Sequence, residues 1–204
     1  MRIFRIASAF VLGLSALIMP AAAQENFATF QSSDGRLAFR YPSTWQMHAM
    51  PTSDGDIRVF AGSGDYECQV WAITKASSAN ASAGAVRQAY TNVLSAEQWT
   101  HMVEPLSMFQ GGVSVGERSV DTNGAWPVQH VALSSPTNQA RGTLQGRPGL
   151  ELMSLCTSYD DQVRSAQFTA IENSIASPTA EAATTAQPAA PMQLAAPTQP
   201  AVPH

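Results

Sequence analysis

The sequence predicts one α+β domain, a mostly antiparallel sheet with helices on both faces. Short apolar runs separated by turns containing Gly, Pro, Asn or Asp indicate antiparallel strands between residues 36 and 157. Two of these runs, 66–74 and 150–157, are apolar on both of their faces, which is typical of strands covered on both sides. Two segments with apolar residues at helical spacing, 82–101 and 160–176, are available as the covering layers.

The strands begin with a hairpin whose turn is predicted at Asp34-Gly35. Apolar residues then alternate along 37–41 until Pro42 ends the strand. We expect Trp45 to fill the corner that follows as a core residue, and the alternative is an exposed aromatic platform for a ligand. Further strands are predicted at 46–50, 57–61 after an Asp54-Gly55 turn, 66–74, 108–120 with a break at Gly111-Gly112, 128–133, 140–145 and 150–157.

The two predicted helices differ in how clearly their ends are marked. The helix over 82–101 is predicted from its apolar positions Val86, Tyr90, Val93 and Leu94. The helix over 160–176 has Phe168, Ile171 and Ile175 on its apolar face. Asp160 and Asp161 suit the positive end of this second helix, and Pro178 ends it.

Both ends of the chain are predicted to lie outside the domain, which we place at 24–177. Residues 1–23 form a cleaved signal peptide, because Arg2 and Arg5 precede an apolar stretch, Pro20 and three alanines. The alternative is a retained membrane anchor, but the apolar stretch is shorter than the ~20 residues that span a bilayer. We therefore expect cleavage, and no membrane insertion of the chain after it. Residues 178–204 are rich in Ala and Pro and predict a disordered tail, either a spacer or Pro-rich partner site or a dispensable extension.

The charge of the chain argues against a nucleic-acid partner. The formal net charge is −4, with 11 Lys and Arg against 15 Asp and Glu. Because no basic cluster interrupts this mildly acidic balance, the electrostatic surface that nucleic-acid binding needs is not predicted.

The two cysteines, Cys68 and Cys156, predict a structural disulfide. Export places them in a compartment where disulfides persist, and two cysteines allow one intramolecular pairing. Closing so long a loop removes roughly 4 kcal/mol of unfolded-state freedom in the chain-entropy model. The alternative is two separate buried thiols.

Three segments resemble the PsbP-like superfamily, which includes the extrinsic photosystem II subunit, the Mog-type Ran-binding proteins and bacterial envelope proteins. They are RLAFRYPSTW, TNGAWPVQHVAL and GLELMSLCTSYDDQVRSAQFTAIENSIAS. The resemblance covers nearly all of 27–177 and implies an α/β/α sandwich that serves binding and assembly without enzymatic activity. It carries over no binding residue. The pair Cys68 and Cys156 is not a general feature of that superfamily, which indicates a distinct, exported bacterial branch.

One segment has the spelling of a catalytic motif. Residues 112–116 spell the Gly-x-Ser-x-Gly of a hydrolase nucleophile elbow around Ser114, and His130 follows. That chemistry requires a strand, a sharp turn and then a helix, whereas the residues after Ser114 predict a strand. We therefore expect no catalytic residues and no enzyme.

Soft donor residues point to a second class of function. His48 and Met50 share one face of a predicted strand, and His101-Met102 offers further imidazole and thioether donors that suit copper. The alternative is that the methionines fill gaps in the packing and that the histidines lie at the surface. His48, His101 and His130 are too scattered for a zinc site.

These observations together predict an exported, non-enzymatic binding or assembly module without a cofactor. It would act through an envelope protein partner, in a bacterial periplasm or outside the cell. The alternative is a periplasmic protein that binds a small ligand or copper.

Overall fold

The computed structural model describes residues 26–50, 52, 55–159 and 165–178. The predicted signal peptide, Asp54, Asp160, Asp161 and the tail from residue 179 onward lie outside the described residues. The strands are β1 Phe27–Gln31, β2 Ala38–Pro42, β3 Gln46–Met50, β4 Ile57–Ser63, β5 Tyr66–Thr74, β6 Ser114–Asp121, β7 Val128–Ser134, β8 Gln139–Arg147 and β9 Leu150–Ser158. The α-helices are α1 Ala83–Ala89, α2 Ala96–Val103 and α3 Ser165–Glu172.

The strands form a two-stranded hairpin, β1-β2, and a seven-stranded sheet in the order β3-β4-β5-β9-β8-β7-β6. Neighbouring strands pair antiparallel. β5 and β9, the two strands predicted to be covered on both faces, lie side by side within the sheet. Val70 and Trp71 point to opposite faces of β5 and are both buried, which confirms that prediction.

The first face of the sheet is covered by the β1-β2 hairpin and by α3. Leu37 and Phe39 of the hairpin pack in one cluster with Phe168 and Ile171 of α3 and with the apolar residues of β4, β5 and β9. Trp45 belongs to this cluster, with its ring edge-on to Phe168 at 6.4 Å between centroids. Trp45 is therefore a core residue and not a ligand platform.

The second face is covered by α2 and by the short 3-10 turn Ser107–Phe109. Trp99 and Val103 of α2 pack with Phe109 against the apolar residues of β7, β8 and β9. Helices thus lie on both faces of an antiparallel sheet, and the predicted α+β class is confirmed. Among the described residues, no helix has the length and apolar character required to cross a bilayer.

The predicted helix 82–101 was wrong as a single element, because the chain forms α1 and α2 with a break between them. Ser95 starts α2 with a reciprocal capping box involving Gln98. The buried side chain of Gln129 holds the break, accepting from Leu94 N at 3.1 Å and donating to Tyr90 O at 2.7 Å. Gly146 of β8 leaves room for the Tyr90 ring, since an added Cβ would lie 2.1 Å from that ring.

Two further boundaries differ from the prediction. Met108 lies in the 3-10 turn and not in a strand, because Gly111 and Gly112 adopt positive φ and delay β6 until Ser114. The C-terminal helix ends at Glu172, before the predicted residue 176. Ala176 instead exchanges two backbone hydrogen bonds with Ala38 of β2, each 2.9 Å long.

Cys68 and Cys156 lie directly opposite each other on β5 and β9. Both are fully buried, and their sulfur atoms are 1.98 Å apart. This is the arrangement that the predicted disulfide requires, and the oxidation state stays a prediction for experiment.

Candidate functional site

Two exposed apolar side chains mark a groove on the second face of the sheet. The large apolar side chains exposed in the described chain are Met50 at 41%, Val93 at 47% and Tyr159 at 43%. Met50 and Tyr159 line one cavity of about 500 Å³, which we call the Tyr159 groove. Its lining residues are Met50, Arg58, Phe60, Glu67, Gln69, Ser107, Met108, Gln110, Thr137, Asn138 and Tyr159.

The strand register explains why one wall of the groove mixes polar and apolar residues. Met50 of β3 pairs with Arg58 of β4, and Phe60 pairs with Gln69 of β5, so these residues project from the same face. Tyr159 follows β9 directly, and its backbone N–H donates to Asp65 O at 2.9 Å. The floor of the groove is therefore formed by the sheet.

The opposite wall consists of two turns that are tied together. Asn138 is buried, and its Nδ2 donates to Met108 O at 2.6 Å. Thr157 of β9 in turn contacts the sulfur of Met108 with its hydroxyl at 3.3 Å. These contacts fix the turn Ser107–Phe109 over the end of the sheet.

A ladder of polar side chains crosses the floor of the groove. The guanidinium of Arg58 lies 5.4 Å from the centre of the Trp71 ring and donates from Nε to Gln69 Oε1 at 3.2 Å. Gln69 Nε2 then donates to Glu67 Oε1 at 3.0 Å. Since each group is held by the next, the ladder presents a fixed pattern of donors and acceptors before any ligand arrives.

Tyr159 lies at the end of this ladder, where its neutral hydroxyl group hydrogen-bonds with Glu67. Partial burial, together with the charge of Glu67 and a hydrogen bond to it, raises the pKa of Tyr159 to about 12. The side chain is therefore protonated at neutral pH and offers both a ring and a hydrogen-bonding group. Tyr, Met and Arg are the residue types enriched where proteins bind other proteins.

The predicted metal residues are only partly brought together. His48 and Met50 share a face of β3 as expected, and the His48 ring stacks on Phe60 at 6.3 Å between centroids. His101 lies on α2, which packs near β6, while β3 is the opposite edge of the sheet. His48 and His101 therefore do not share one site. Within the described ranges no group of three or more His, Cys, Asp or Glu residues is arranged to hold a metal.

The Gly-x-Ser-x-Gly segment does not build a nucleophile elbow. Ser114 is the first residue of β6, an edge strand that continues to Asp121 without the required helix. His130 lies on β7 and pairs with Ser119, not with Ser114.

Sequence reasoning missed Tyr159 and the polar ladder. A signal was present, because Glu67 and Gln69 alternate with Cys68 and Val70 in a strand predicted to be buried on both faces. Polar residues at every second position of such a strand indicate a local opening in its covering layer.

Comparison with known proteins supports the fold and adds no function. No protein-family model matches the sequence, and no curated protein matches it. The structure is similar to the solution structure of cyanobacterial PsbP (CyanoP) from Synechocystis sp. PCC 6803, with a TM-score of 0.51. The two chains are 10% identical over 78% of this chain and 96% of that chain. The chain thus has the PsbP-like fold that its sequence predicted.

Proposed function

We propose that this chain is an exported, non-enzymatic binding module that holds a protein partner in the Tyr159 groove. The observation that carries this proposal is the convergence of Met50 and Tyr159, both exposed, on a groove with a prearranged polar ladder. Exposed apolar residues around fixed polar groups are typical of protein interfaces, where a few aromatic and Arg side chains supply most of the binding energy.

The chemistry of the groove describes the partner. Phe60, Met50 and the Tyr159 ring favour an apolar side chain, while Glu67 and the donors of Arg58 favour a polar segment next to it. We infer that the partner inserts an apolar anchor and aligns amide groups with the ladder.

Export is supported by the leader pattern of residues 1–23 and by the close approach of Cys68 to Cys156. A bacterial cell envelope, either the periplasm or the outside of the cell, is the proposed compartment. The proposed absence of enzymatic activity is tested by assaying ester, peptide and phosphate hydrolysis, and activity abolished by Ser114→Ala would contradict it.

The test of partner binding is affinity capture from a native envelope extract with matched variants. The mature chain 24–204 is expected to retain a stoichiometric partner, and the double variant Met50→Ala, Tyr159→Ala is expected to lose it. Val93→Ala is the control, because Val93 is equally exposed but lies outside the groove. A version ending at residue 177 assigns the contribution of the tail, and equal capture by all variants would contradict the proposal.

A second candidate function is the binding of Cu(I) at the same end of the sheet. Met50 and Met108 both line the groove, and His48 shares the strand face of Met50. Titration of Cu(I) against the wild type and the double variant His48→Ala, Met50→Ala separates the two functions. Equal affinity of both proteins would end the copper hypothesis, and His101→Ala is the control, because α2 lies near β6, at the edge of the sheet opposite β3.

A further inference from the structure

A second cavity, of about 480 Å³, lies on the first face of the sheet beside α3. Arg141 of β8 is opposite Cys156, whose side chain belongs to the first-face core, so this cavity and the Tyr159 groove open on opposite faces. The cavity, which we call the Glu172 cavity, has these polar lining residues: Glu117, Ser119, Asp121, His130, Arg141 and Glu172.

Glu172 at the end of α3 is the buried group of this cavity, with 3% of its surface exposed. Its Oε2 accepts a hydrogen bond from Arg141 Nη2 at 2.6 Å. Its Oε1 is buried and has no hydrogen-bond partner among the residues that the structure describes. A buried carboxylate oxygen without a donor is costly, so this oxygen is a position where a ligand donor gains more than it would at the surface.

Arg141 does not donate a hydrogen bond to Glu172 Oε1, because its two terminal nitrogens are bonded elsewhere. Its Nη1 donates to Thr169 Oγ1 at 3.3 Å while its Nη2 holds Glu172 Oε2. Burial raises the pKa of Glu172 and the nearby Arg141 opposes that rise, as expected for a carboxylate that is only partly compensated.

The charge of the cavity walls selects the sign of a ligand. Three carboxylates, those of Glu117, Asp121 and Glu172, face one guanidinium. His130 adds no charge at neutral pH, because burial lowers its pKa from an already near-neutral value. The potential inside the cavity therefore favours a cation.

We propose that the Glu172 cavity binds an organic cation with N–H donors, an ammonium or a guanidinium group, through Glu172 Oε1 and the rim carboxylates of Asp121 and Glu117. Such a group places charge-assisted hydrogen bonds on the carboxylate that lacks a donor. A metal ion is a poorer match, since no metal-holding cluster of His, Cys, Asp or Glu occurs in the described part of the chain. The volume suits a head group the size of an arginine side chain.

To test this, the purified ¹⁵N-labelled protein is titrated with ethylguanidinium and, separately, with its neutral analogue N-ethylurea. Binding is measured by NMR from the chemical shifts of the backbone amides. Saturable shifts of amides in β6, β7 and β8 are expected from the guanidinium and not from the urea. Glu172→Gln removes the negative charge with little change of shape and should weaken binding about tenfold or more. Glu97→Gln, on an exposed position of α2, is the matched control and should bind as the wild type does.

A second variant keeps the test decisive if Glu172→Gln disturbs folding. Asp121→Asn leaves the pair of Glu172 and Arg141 intact and should weaken binding about threefold. Equal shifts from the two probes, or unchanged affinity in Asp121→Asn and in a folded Glu172→Gln protein, would overturn the proposal.

A further arm identifies the source of the cation. A capped tripeptide with a central arginine is titrated in the same way as ethylguanidinium. Tighter binding of the peptide assigns the cavity to a basic side chain of a partner protein, and equal binding assigns it to a free small cation. No saturable shift from either probe at the Glu172 cavity contradicts the proposal and leaves the Tyr159 groove unaffected.

Discussion

Reduction of the pair Cys68 and Cys156 should lower the free energy of unfolding by about 4–5 kcal/mol. This magnitude follows from the chain-entropy relation for the sequence separation of 88 residues. The two cysteines join β5 to β9, so the crosslink connects strands from the two halves of the chain. The stabilisation acts on the unfolded state, where the crosslink removes the freedom of a long loop.

Urea unfolding of the oxidised protein and of the protein kept in a phosphine reductant measures this difference. With a slope of about 2 kcal/mol per M, the midpoint should fall by about 2 M on reduction. The double variant Cys68→Ala, Cys156→Ala is the control, because the reductant should not move its midpoint. Equal midpoints of the oxidised and reduced wild type, or two free thiols in mass spectrometry of the untreated protein, would refute the reasoning.

Three further predictions test the packing around the sheet. Gln129→Ala should destabilise the protein by about 2–4 kcal/mol, because it removes the buried hydrogen bonds that hold the break between α1 and α2. The control Gln139→Ala, at an exposed position, should change urea unfolding little. Gly146→Ala should cost about 1–3 kcal/mol, because its Cβ would meet the tyrosine ring that covers β8, while Gly84→Ala in the open first turn of α1 should be neutral or slightly stabilising in the same assay. His130 should titrate below its ordinary pKa in NMR, because burial disfavours its charged form. The unfolded chain then binds the proton more readily than the folded chain does. The stabilising contribution of His130 is therefore present above about pH 6.5 and is lost as the pH falls below it. An unchanged urea midpoint in Gln129→Ala or in Gly146→Ala would contradict the stabilising role given to the Gln129 hydrogen bonds or to the close packing of Gly146. An ordinary pKa of His130 would contradict the effect of its burial.

Most of the sheet could be predicted from local sequence. The strands β3 and β5 occupy the predicted ranges 46–50 and 66–74, because alternation of side chains and the turn residues between strands are local properties. The burial of β5 and β9 on both faces could also be predicted, since both strands are apolar on each face.

The break between α1 and α2 could not be predicted in this way. Apolar residues continue at helical spacing through Val93 and Leu94, so the local pattern favours one helix. What ends α1 is Gln129, which lies far along the chain and competes for the backbone of the segment. Val93 is consequently exposed, although its spacing predicted a buried residue.

The two cavities could not be predicted either, because their residues come from distant parts of the chain. The Tyr159 groove joins Met50 to residues near 108, 138 and 159, and no short motif links these positions. His48 and Met50 were noticed as metal donors, whereas Met50 is more informative as an exposed wall of the groove. The Glu172 cavity depends on one unpartnered oxygen, which only the packing of α3 against β8 reveals.

The measurement that tests the central claim most directly is site-specific photocrosslinking in the native envelope. A photoreactive benzoylphenylalanine replaces Tyr159 in one protein and Val93 in another, two side chains of similar exposure. The proposed function predicts one discrete protein adduct from position 159 and none from position 93. The same adducts from both positions, or no adduct from position 159, would contradict a partner bound in the Tyr159 groove.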